Sequence, residues 1–296
     1  MTVLVTGASG FVGRRLHRFL VKKNIPVRVV LREKDITFEE AVFCDFEKEA
    51  LSFEVFHDVE TVFHLAGCTH DINSKRNIDI YRKINTETTT KIAEMAGENK
   101  VKNFVFVSSV KAGGSPTQGK IISETDQGKP EGIYGATKRD AELKLLDIGS
   151  QSKMHISIVR PTLVYGKNDP HNGYGPNQFI RLAQSKKDIS LFGKGEEKRD
   201  HIHVNDVGNA IYFLVNKKYV GTVNLVSGTV NSFFKIAQKI KDLYKVKIKY
   251  VKRKGPMPHN GYRAFNNYLL KKILPKTNNP INIFEWINKK EKYKRK

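Results

Sequence analysis

The chain has 296 residues, of which 39% are apolar, and it carries a formal net charge of +22. This length and apolar content suffice for one large globular domain, or for a domain with a smaller companion. No stretch approaches the roughly 18 uninterrupted apolar residues of a membrane span, and the N-terminus lacks the apolar core of a secretory signal, so we expect a cytoplasmic protein without a membrane partner.

Two cysteines, Cys44 and Cys68, are too few for a disulfide framework, and they lack the His or Cys neighbours of a metal site. We expect both to be reduced thiols in the core or near the site, and we expect no bound metal.

The positive charge is concentrated at the C-terminal end. Residues 235–296 contain 19 Lys and Arg but three acids, which gives +16 of the total of +22. Clustered lysines can indicate nucleic-acid binding, but the first four-fifths of the chain are nearly balanced. A solvated, Lys-rich surface on a terminal lobe is the preferred interpretation, and attraction of an anionic small molecule is the second. No nucleic-acid partner is therefore predicted.

Short apolar, β-branched runs alternate with helical patterns along the first half of the chain. In order, these are VLV (3–5), an amphipathic stretch (11–23), PVRVVL (26–31), AVFCD (41–45), TVFHLAG (61–67), a helical pattern (80–98), NFVFVSS (103–109), a second helical pattern (134–146) and HISIVRP (155–161). This alternation is typical of a parallel sheet covered on both faces by helices. We predict an α/β fold with a doubly wound parallel sheet.

TGASGFVG, at 6–13, places three glycines between the first strand pattern and the first helical pattern. Glycines at such a turn let the chain reverse tightly, let the backbone approach a pyrophosphate and let the helix pack on the strand, while the helix N-terminus offers N–H groups to the anion. Gly7, Gly10 and Gly13 are the predicted dinucleotide cradle, and a simple tight turn is the alternative. Their G-x-x-G-x-x-G spacing departs from the ordinary G-x-G-x-x-G fingerprint.

The local composition of the sequence changes after Pro161. Gly and Pro clusters such as YGKNDPHNGYGPN and KGPMPHNGY indicate a looser region for the substrate, although HIHVNDVGNAIYFLV and TVNLVSG look like further elements of the main sheet. We predict a nucleotide-binding domain over 1–165 and a mainly substrate-binding region over 166–296, with 203–227 returning to the main sheet.

Tyr134 and Lys138 are four residues apart in a helical pattern, so their side chains lie on one face of the helix. An ammonium group beside a phenol favours the phenolate, and we expect it to lower the pKa of the tyrosine from about 10 toward neutrality. Such a tyrosine can accept a proton from a carbinol while hydride leaves the same carbon, or return the proton to a ketone. An exposed Tyr–Lys pair is the alternative.

Six motifs, in their order along the chain, resemble the short-chain dehydrogenase/reductase superfamily: TGASGFVG, FHLAG, FVFVSS, YGATK, VRPTLVYG and GKGEEKRDHIHVNDV. The similarity is to its extended branch, of the NAD-dependent epimerase/dehydratase type, and covers essentially the whole chain. It implies a Rossmann-type fold, oxidoreductase or isomerase activity in nucleotide-sugar metabolism and polysaccharide biosynthesis, and a nucleotide-diphosphate sugar as substrate. It also implies a homodimer formed through the helices that carry Asn85 and Tyr134.

The resemblance assigns catalytic roles to individual residues. Tyr134 and Lys138 match the catalytic pair, and Ser109 matches the hydroxyl that hydrogen-bonds the reacting oxygen. Ser108 is the weaker match, because strand alternation points the two serine side chains oppositely. Asn85 matches an asparagine thought to hold a water in the proton path. A strand-capping serine and an ordinary helical asparagine are the alternatives.

The cofactor site implied by the resemblance follows the ends of the strands. After the second strand, Leu31 stands where a carboxylate would grip the ribose hydroxyls of NAD, and Arg32, which suits the 2′-phosphate of NADP, comes next. NADP is therefore slightly favoured over NAD, although Glu33 could still reach a ribose hydroxyl. Asp45 matches the adenine-contacting acid. The implied cofactor-binding residues are Gly7, Gly10, Phe11, Val12, Gly13, Arg32, Asp45, Phe46, Leu65, Ala66, Gly67, Lys138 and Pro161.

On the substrate side, Asn177 and Arg199 match family positions that touch the nucleotide diphosphate, and Arg263 resembles the late arginine that reaches the same pyrophosphate. A guanidinium suits such oxygens, and solvated loop arginines are the alternative. Ser109 and Tyr134 complete the implied substrate contacts.

One departure from the family pattern narrows the reaction. Family dehydratases and decarboxylases carry an acidic residue two positions after the catalytic hydroxyl, whereas this chain reads Ser109-Val110-Lys111, which disfavours dehydration. We expect 4-epimerisation through a 4-keto intermediate. An NADPH-dependent reductase of a nucleotide-4-keto sugar is the alternative, favoured by Arg32 and by SSVKAGG, which lacks the usual Tyr-Gly. A non-catalytic nucleotide-sensing or RNA-binding protein is the remote alternative, since such relatives commonly lack the Tyr–Lys pair.

Overall fold

The computed structural model describes residues 2–69, 78–115, 119–126, 128–170, 173–275 and 279–292. The strands are β1 (Thr2–Thr6), β2 (Val27–Leu31), β3 (Ala41–Phe43), β4 (Val59–His64), β5 (Asn103–Val107), β6 (Ile121–Ile122), β7 (His155–Pro161), β8 (Leu163–Tyr165), β9 (Ile189–Phe192), β10 (Lys198–His203), β11 (Gly221–Leu225), β12 (Val230–Ser232), β13 (Ile248–Val251) and β14 (Tyr262–Phe265).

The helices are α1 (Phe11–Lys22), α2 (Ile78–Arg82), α3 (Thr88–Glu98), α4 (Val110–Gly113), α5 (Gly132–Gln151), α6 (Pro176–Gln184), α7 (Val204–Asn216), α8 (Phe233–Tyr244), α9 (Tyr268–Ile273) and α10 (Ile283–Lys292). A π-helical segment, Lys83–Glu87, joins α2 to α3, and 3-10 turns cover Phe53–Phe56 and Pro258–Gly261.

Seven strands form the main sheet, in the order β3-β2-β1-β4-β5-β7-β11. Every pair in this sheet is parallel. The strand order reverses between β1 and β4, which is the doubly wound arrangement that binds ligands outside the carboxyl ends of its strands. The predicted α/β fold with a doubly wound parallel sheet is confirmed.

The main sheet is buried on both faces because its strands are apolar on both. Leu4 and Val5 are neighbours on β1, are both fully buried, and belong to separate cores on opposite sides of the sheet. The core around Val5 includes Leu16 of α1 and Val207 of α7, whereas the core around Leu4 includes Leu145 of α5. Burial on both faces explains why these strands read as continuous apolar runs rather than as alternating ones.

A second body is built largely from residues after Pro161. Its sheet has the order β12-β10-β14-β6, with β8 also paired to β10, and β9 and β13 form a separate parallel pair. A third core, around Phe179, Ile236 and Trp286, lies in this body.

The segment over 203–227 divides between the two bodies. β11 pairs with β7 in the main sheet and α7 packs against α1. The HIH portion of HIHVNDVGNAIYFLV, however, belongs to β10 in the second sheet, so that part of the motif does not join the main sheet as expected. The division of the chain at residue 165 stays a prediction. Within the described ranges, no helix combines the length and the apolar character needed to cross a membrane.

His64, at the end of β4, makes the stability of the fold sensitive to acid. Its ring is completely buried, with Nδ1 2.7 Å from Oγ1 of Thr6 and Nε2 2.9 Å from Oγ1 of Thr89. Burial, followed by the charge of Lys138, lowers the pKa of His64 to about 3. Because the unfolded chain binds this proton near pH 6.5, the stabilisation is complete above that pH and is lost as the pH falls toward 3.

We expect His64 alone to remove about 2 kcal/mol of unfolding free energy between pH 6.5 and pH 5. Urea denaturation of wild type and His64→Gln at the two pH values measures this, since glutamine keeps hydrogen-bonding groups but does not titrate. His57→Gln, at a histidine whose side chain is 80% exposed, is the matched control. Equal acid sensitivity of His64→Gln and wild type would contradict the assignment.

Candidate active site

A cleft of about 810 Å³ lies at the carboxyl ends of the main-sheet strands. Residues that directly follow β1, β2, β3, β4, β5 and β7 line it, because the ends of parallel strands meet at one edge of a sheet. Of the predicted site residues, the cleft brings together Gly7, Gly10, Phe11, Val12, Gly13, Arg32, Asp45, Phe46, Leu65, Ala66, Gly67, Ser109, Tyr134, Lys138, Pro161 and Asn177. Asn85, Arg199 and Arg263 lie outside its lining.

The turn from β1 into α1 leaves no space for a side chain at Gly7 or Gly13. A Cβ at Gly7, where φ is +71°, would lie 2.6 Å from the backbone nitrogen of Ala66. A Cβ at Gly13 would lie 2.2 Å from the carbonyl oxygen of Gly7. Gly10 caps α1 and donates its N–H to the same carbonyl at 3.0 Å. The N-terminus of α1 therefore opens on the cleft behind a bare backbone, which suits a pyrophosphate.

The far end of the cleft, beyond β2 and β3, carries charges of both signs. Arg32 has a side chain that is 61% exposed, and its Nε lies 3.3 Å from Oε1 of Glu33. Asp45 accepts the N–H of Glu47 at 3.1 Å and lies 3.2 Å from Nζ of Lys48. These contacts, led by the Glu47 N–H, lower the pKa of Asp45, and the charge of Arg32 adds to them. A ribose or a phosphate at this end would meet both Arg32 and carboxylates.

Tyr134 lies in the first turn of α5, one turn before Lys138, and both face the cleft. Lys138 is 2% exposed, which excludes the alternative of a surface pair. Its Nζ donates to the carbonyl of Val107 at 3.0 Å and lies 4.5 Å from the centroid of the Phe106 ring. Burial lowers the pKa of Lys138 to about 7. Its proton is therefore easily lost near neutral pH.

Ser109 lines the same cleft as Tyr134 and Lys138. Its hydroxyl accepts the N–H of Lys111 at 3.2 Å, which caps α4, and it also hydrogen-bonds the phenol of Tyr134. Ser108 points elsewhere, as strand alternation predicts, and donates to a carboxylate of α5. The hydroxyl in contact with Tyr134 is therefore that of Ser109.

The expected lowering of the Tyr134 pKa is wrong for this structure. Burial raises the pKa of Tyr134 to about 12, and the hydrogen bond with Ser109 offsets only part of that rise. The physical reason is that desolvation of the phenolate outweighs its stabilisation, while the Lys138 ammonium is held by the Val107 carbonyl. With its phenol protonated, Tyr134 is a proton donor.

Asn85 lies on the π-helical segment between α2 and α3 and is completely buried. Its Oδ1 accepts the N–H of Cys68 at 2.8 Å, and its Nδ2 donates to the Cys68 carbonyl at 3.0 Å and to Oγ1 of Thr137 at 3.1 Å. Both amide hydrogens are thus engaged. Asn85 holds the loop after β4 against α5, and it has no amide hydrogen left for the water that the resemblance implies.

Arg199 and Arg263 form a buried basic cluster beside the cleft. They are register partners on β10 and β14, and each is 7% exposed, so the alternative of solvated loop arginines is wrong. Arg199 pairs with Glu197 at 2.7 Å and Arg263 with Glu131 at 2.5 Å. The Nε of Arg263 is buried without a hydrogen-bond partner in the described part of the chain.

Lys111 lies near both this cluster and Tyr134. Its Nζ lies 6.0 Å from the centroid of the Tyr134 ring, and burial lowers its pKa, with Glu131 and Arg263 as its charged neighbours. Asn177, in the first turn of α6, donates to Oδ2 of Asp169 at 2.6 Å. Lys111, Arg199 and Arg263 therefore place several positive charges on this side of Tyr134.

Sequence reasoning missed several residues of the site. Thr162, Tyr174 and His201 line the cleft, and Glu131 pairs with a predicted arginine. His201 follows Arg199 by two residues on β10, so strand alternation places both on one face. This spacing could have identified His201 from the predicted Arg199. No sequence pattern could have identified Glu131, because its partner Arg263 is distant in the sequence.

Comparisons with known proteins agree with this geometry. The sequence model of the family described as "NAD dependent epimerase/dehydratase family" matches residues 3–226. The chain is 28% identical over 237 residues to a UDP-glucose 4-epimerase of Vibrio cholerae, covering 76% of this chain and 70% of that protein. It is 24% identical over 265 residues to a dTDP-D-glucose 4,6-dehydratase of Dictyostelium discoideum, covering 80% of this chain and 61% of that one.

A solved structure, MoeE5 in complex with UDP-glucose and NAD, superposes with a TM-score of 0.85 at 23% identity, covering 100% of this chain and 99% of that one. At this identity, the likeness shows the fold.

Proposed function

Because the chain belongs to the NAD-dependent epimerase/dehydratase family, as its motifs predict, we propose that it is an NAD(P)-dependent enzyme that transfers a hydride at C4 of a nucleotide-diphosphate sugar. The reaction we favour is 4-epimerisation through a 4-keto intermediate. The observation that carries this proposal is one continuous cleft that runs from the glycine turn to Ser109, Tyr134 and Lys138.

The residues of the cleft fit a nicotinamide dinucleotide. The bare turn at Gly7, Gly10 and Gly13 would hold its pyrophosphate, and Asp45 would lie at its adenosine end. When bound, this group would accept the hydride from C4 and then return it. Pro161, Ser109 and Tyr134 lie at the other end of the cleft, where a nicotinamide and a sugar would meet.

The protein's own part in the reaction is proton transfer and orientation. Tyr134 moves a proton to and from the oxygen at C4, and Ser109, hydrogen-bonded to the same phenol, positions that oxygen. To act as a base, Tyr134 needs the positive charge of Lys138, since burial alone keeps its phenol protonated. Arg199 and Arg263 would bind the diphosphate, and the unpartnered Nε of Arg263 supports this role.

Epimerisation is favoured over dehydration by Lys111. Lys111 stands where family dehydratases carry an acidic residue, with its Nζ 6.0 Å from the centroid of the Tyr134 ring, so this position supplies no carboxyl group for the elimination of water. The named relatives include both an epimerase and a dehydratase, so this residue carries the distinction.

A homodimer is the proposed assembly, formed through the helices that carry Asn85 and Tyr134. Leu143 and Leu146, on the outer side of α5, are 55% and 42% exposed, which supports an apolar contact at that helix.

The first experiment identifies the nucleotide that the purified protein retains. We expect denaturation to release a nicotinamide dinucleotide, identified by chromatography, and we expect UDP-glucose to be converted to its 4-epimer without net consumption of cofactor. An empty protein that binds NADPH far better than NADH would instead favour the second candidate, reduction of a nucleotide-4-keto sugar. Arg32, exposed at the adenosine end of the cleft, is the observation that keeps this candidate.

Arg32 also determines the preference between the two dinucleotides. Loss of a charged hydrogen bond to a 2′-phosphate costs about 1.5–3 kcal/mol, so Arg32→Ala is expected to weaken NADPH binding by about tenfold or more and to leave NADH binding unchanged. Titration of cofactor fluorescence measures both affinities, with Lys241→Ala, at an exposed lysine of α8, as control. Equal effects on NADPH and NADH would show that Arg32 does not read the 2′-phosphate.

A further inference from the structure

We propose that Glu142 is a positioning residue for the Tyr134–Lys138 pair, and that it acts by holding a buried negative charge one helical turn beyond Lys138. This inference rests on the proposed function, in which Tyr134 and Lys138 move the proton. Glu142 lies outside the lining of the cleft.

Spacing along α5 places Glu142 on the catalytic face of the helix. It follows Lys138 by four residues, as Lys138 follows Tyr134, so the three side chains form one stripe. Glu142 is 1% exposed. An ionised carboxylate at such depth is costly unless it is fully hydrogen-bonded.

The carboxylate of Glu142 has a complete set of partners. Arg160 donates to it through both Nε, at 2.9 Å from Oε1, and Nη2, at 2.5 Å from Oε2. Ser108 donates its hydroxyl to Oε1 at 2.5 Å. Arg139 contributes a longer contact, with Nη1 4.0 Å from Oε2. A bidentate guanidinium and a hydroxyl compensate the burial of this carboxylate inside the protein.

The same network reaches the residues that carry Ser109. Ser108 immediately precedes it, and Arg160 packs under α4, where its Nη1 would be 2.9 Å from a Cβ on Gly113. Ser109 is the N-cap of α4. Glu142 therefore joins the ends of β5 and β7 and the start of α4 to the helix that carries Tyr134 and Lys138.

Several elements contribute the charged and titratable groups that face Lys138. Tyr134 and Glu142 lie on α5, and Arg160 on β7 is paired with Glu142. His64 on β4 is neutral, since burial lowers its pKa to about 3. The Cys68 thiol faces Lys138 from the loop after β4. Burial lowers the pKa of Lys138 to about 7, and the charge of Glu142 is the strongest influence that raises it.

This charge determines where the last proton of the pair resides. After the pair has lost one proton, the other sits either on Lys138, which leaves a phenolate able to accept a proton, or on Tyr134, which leaves an inert phenol and a neutral amine. Glu142 is one turn from Lys138 and two turns from Tyr134, so it stabilises the ammonium more than it destabilises the phenolate. It therefore favours the ammonium–phenolate form that the reaction needs.

Glu142→Gln tests the charge, because it keeps the shape and a hydrogen-bonding group. The ammonium of Lys138 is titrated by the NMR chemical shift of its Cε, assigned by comparison with the Lys138→Met variant of each background. We expect Glu142→Gln to shift this titration to lower pH by about one unit, and to move the alkaline limb of the pH profile of kcat with UDP-glucose and NAD in the same direction. Unchanged titration in a folded Glu142→Gln protein would overturn the inference.

Two further variants separate charge from folding. Asp206→Asn removes another buried carboxylate, 7% exposed on α7, where it accepts the N–H of Ile281 at 2.8 Å. It is expected to lower Tm without shifting the titration. Glu142→Gln combined with Arg160→Met avoids an unpaired buried guanidinium, and it is expected to keep the shift of the single variant. If the double variant titrates like wild type, the network is only structural. Absence of turnover with UDP-glucose would count against the proposed function alone, since the titration of Lys138 needs no substrate.

Discussion

Tyr134→Phe is expected to lower kcat by about 10²–10⁴-fold while cofactor binding is retained. The substitution removes one oxygen, which in this structure is hydrogen-bonded to Ser109 in the cleft. It leaves the ring that packs near Lys111. Because burial keeps the phenol neutral, its loss costs about 1 kcal/mol of stability, so the protein is expected to fold.

Single-turnover hydride transfer and cofactor titration, measured on the same preparation, separate chemistry from binding. Tyr250→Phe, at a tyrosine of β13 that is 59% exposed, is the matched control and is expected to behave as wild type in both assays. Wild-type turnover by Tyr134→Phe would remove the tyrosine from the proposed site. Loss of cofactor binding along with turnover would reassign it to a structural role.

The main sheet could be predicted from the sequence because its strands are buried on both faces. Runs such as VLV and NFVFV are short and almost entirely apolar, without the spaced polar residues of an amphipathic helix. Each ends at a turn of Gly, Ser or charged residues. The second sheet could not be predicted in the same way. β6 has two residues and β8, β12 have three, so their pairing depends on contacts with distant parts of the chain rather than on local pattern.

The face of α5 that carries Tyr134 and Lys138 could be predicted because helical spacing is a local property. The pKa of Tyr134 could not, because it depends on burial and on the direction of the Lys138 ammonium, which bonds the Val107 carbonyl. Similarly, Arg199 and Arg263 are 64 residues apart and meet only through the register of β10 with β14. Asn85 was assigned by the family resemblance, but the π-helical segment on which it lies and the bonds of its amide to Cys68 and Thr137 left no trace in the sequence.

Gly13→Ala is expected to disrupt the proposed cofactor site at the glycine turn between β1 and α1. The new Cβ would lie 2.2 Å from the carbonyl oxygen of Gly7 and 2.8 Å from Cα of Ala8, both backbone atoms. The turn cannot move away, since Gly7 is itself pressed against the backbone of Ala66. Displacing α1 from the pyrophosphate would remove one or two charged hydrogen bonds, which corresponds to about a 100-fold loss of cofactor affinity. Overpacking would cost about 1–3 kcal/mol of stability in addition.

Gly97→Ala is the control for the same chemical change in a helix. A Cβ at Gly97, in α3, would meet no atom within 4 Å, so alanine there is expected to stabilise the protein by about 0.5–1 kcal/mol and to leave cofactor binding unchanged. Calorimetric titration with NAD and NADP, together with urea denaturation of both variants, makes the comparison. If Gly13→Ala binds the dinucleotide as tightly as Gly97→Ala, then the bare turn is a packing requirement between α1 and β1. The cofactor would then have to lie elsewhere along the cleft, because a pyrophosphate seated on this turn cannot tolerate a displaced helix N-terminus.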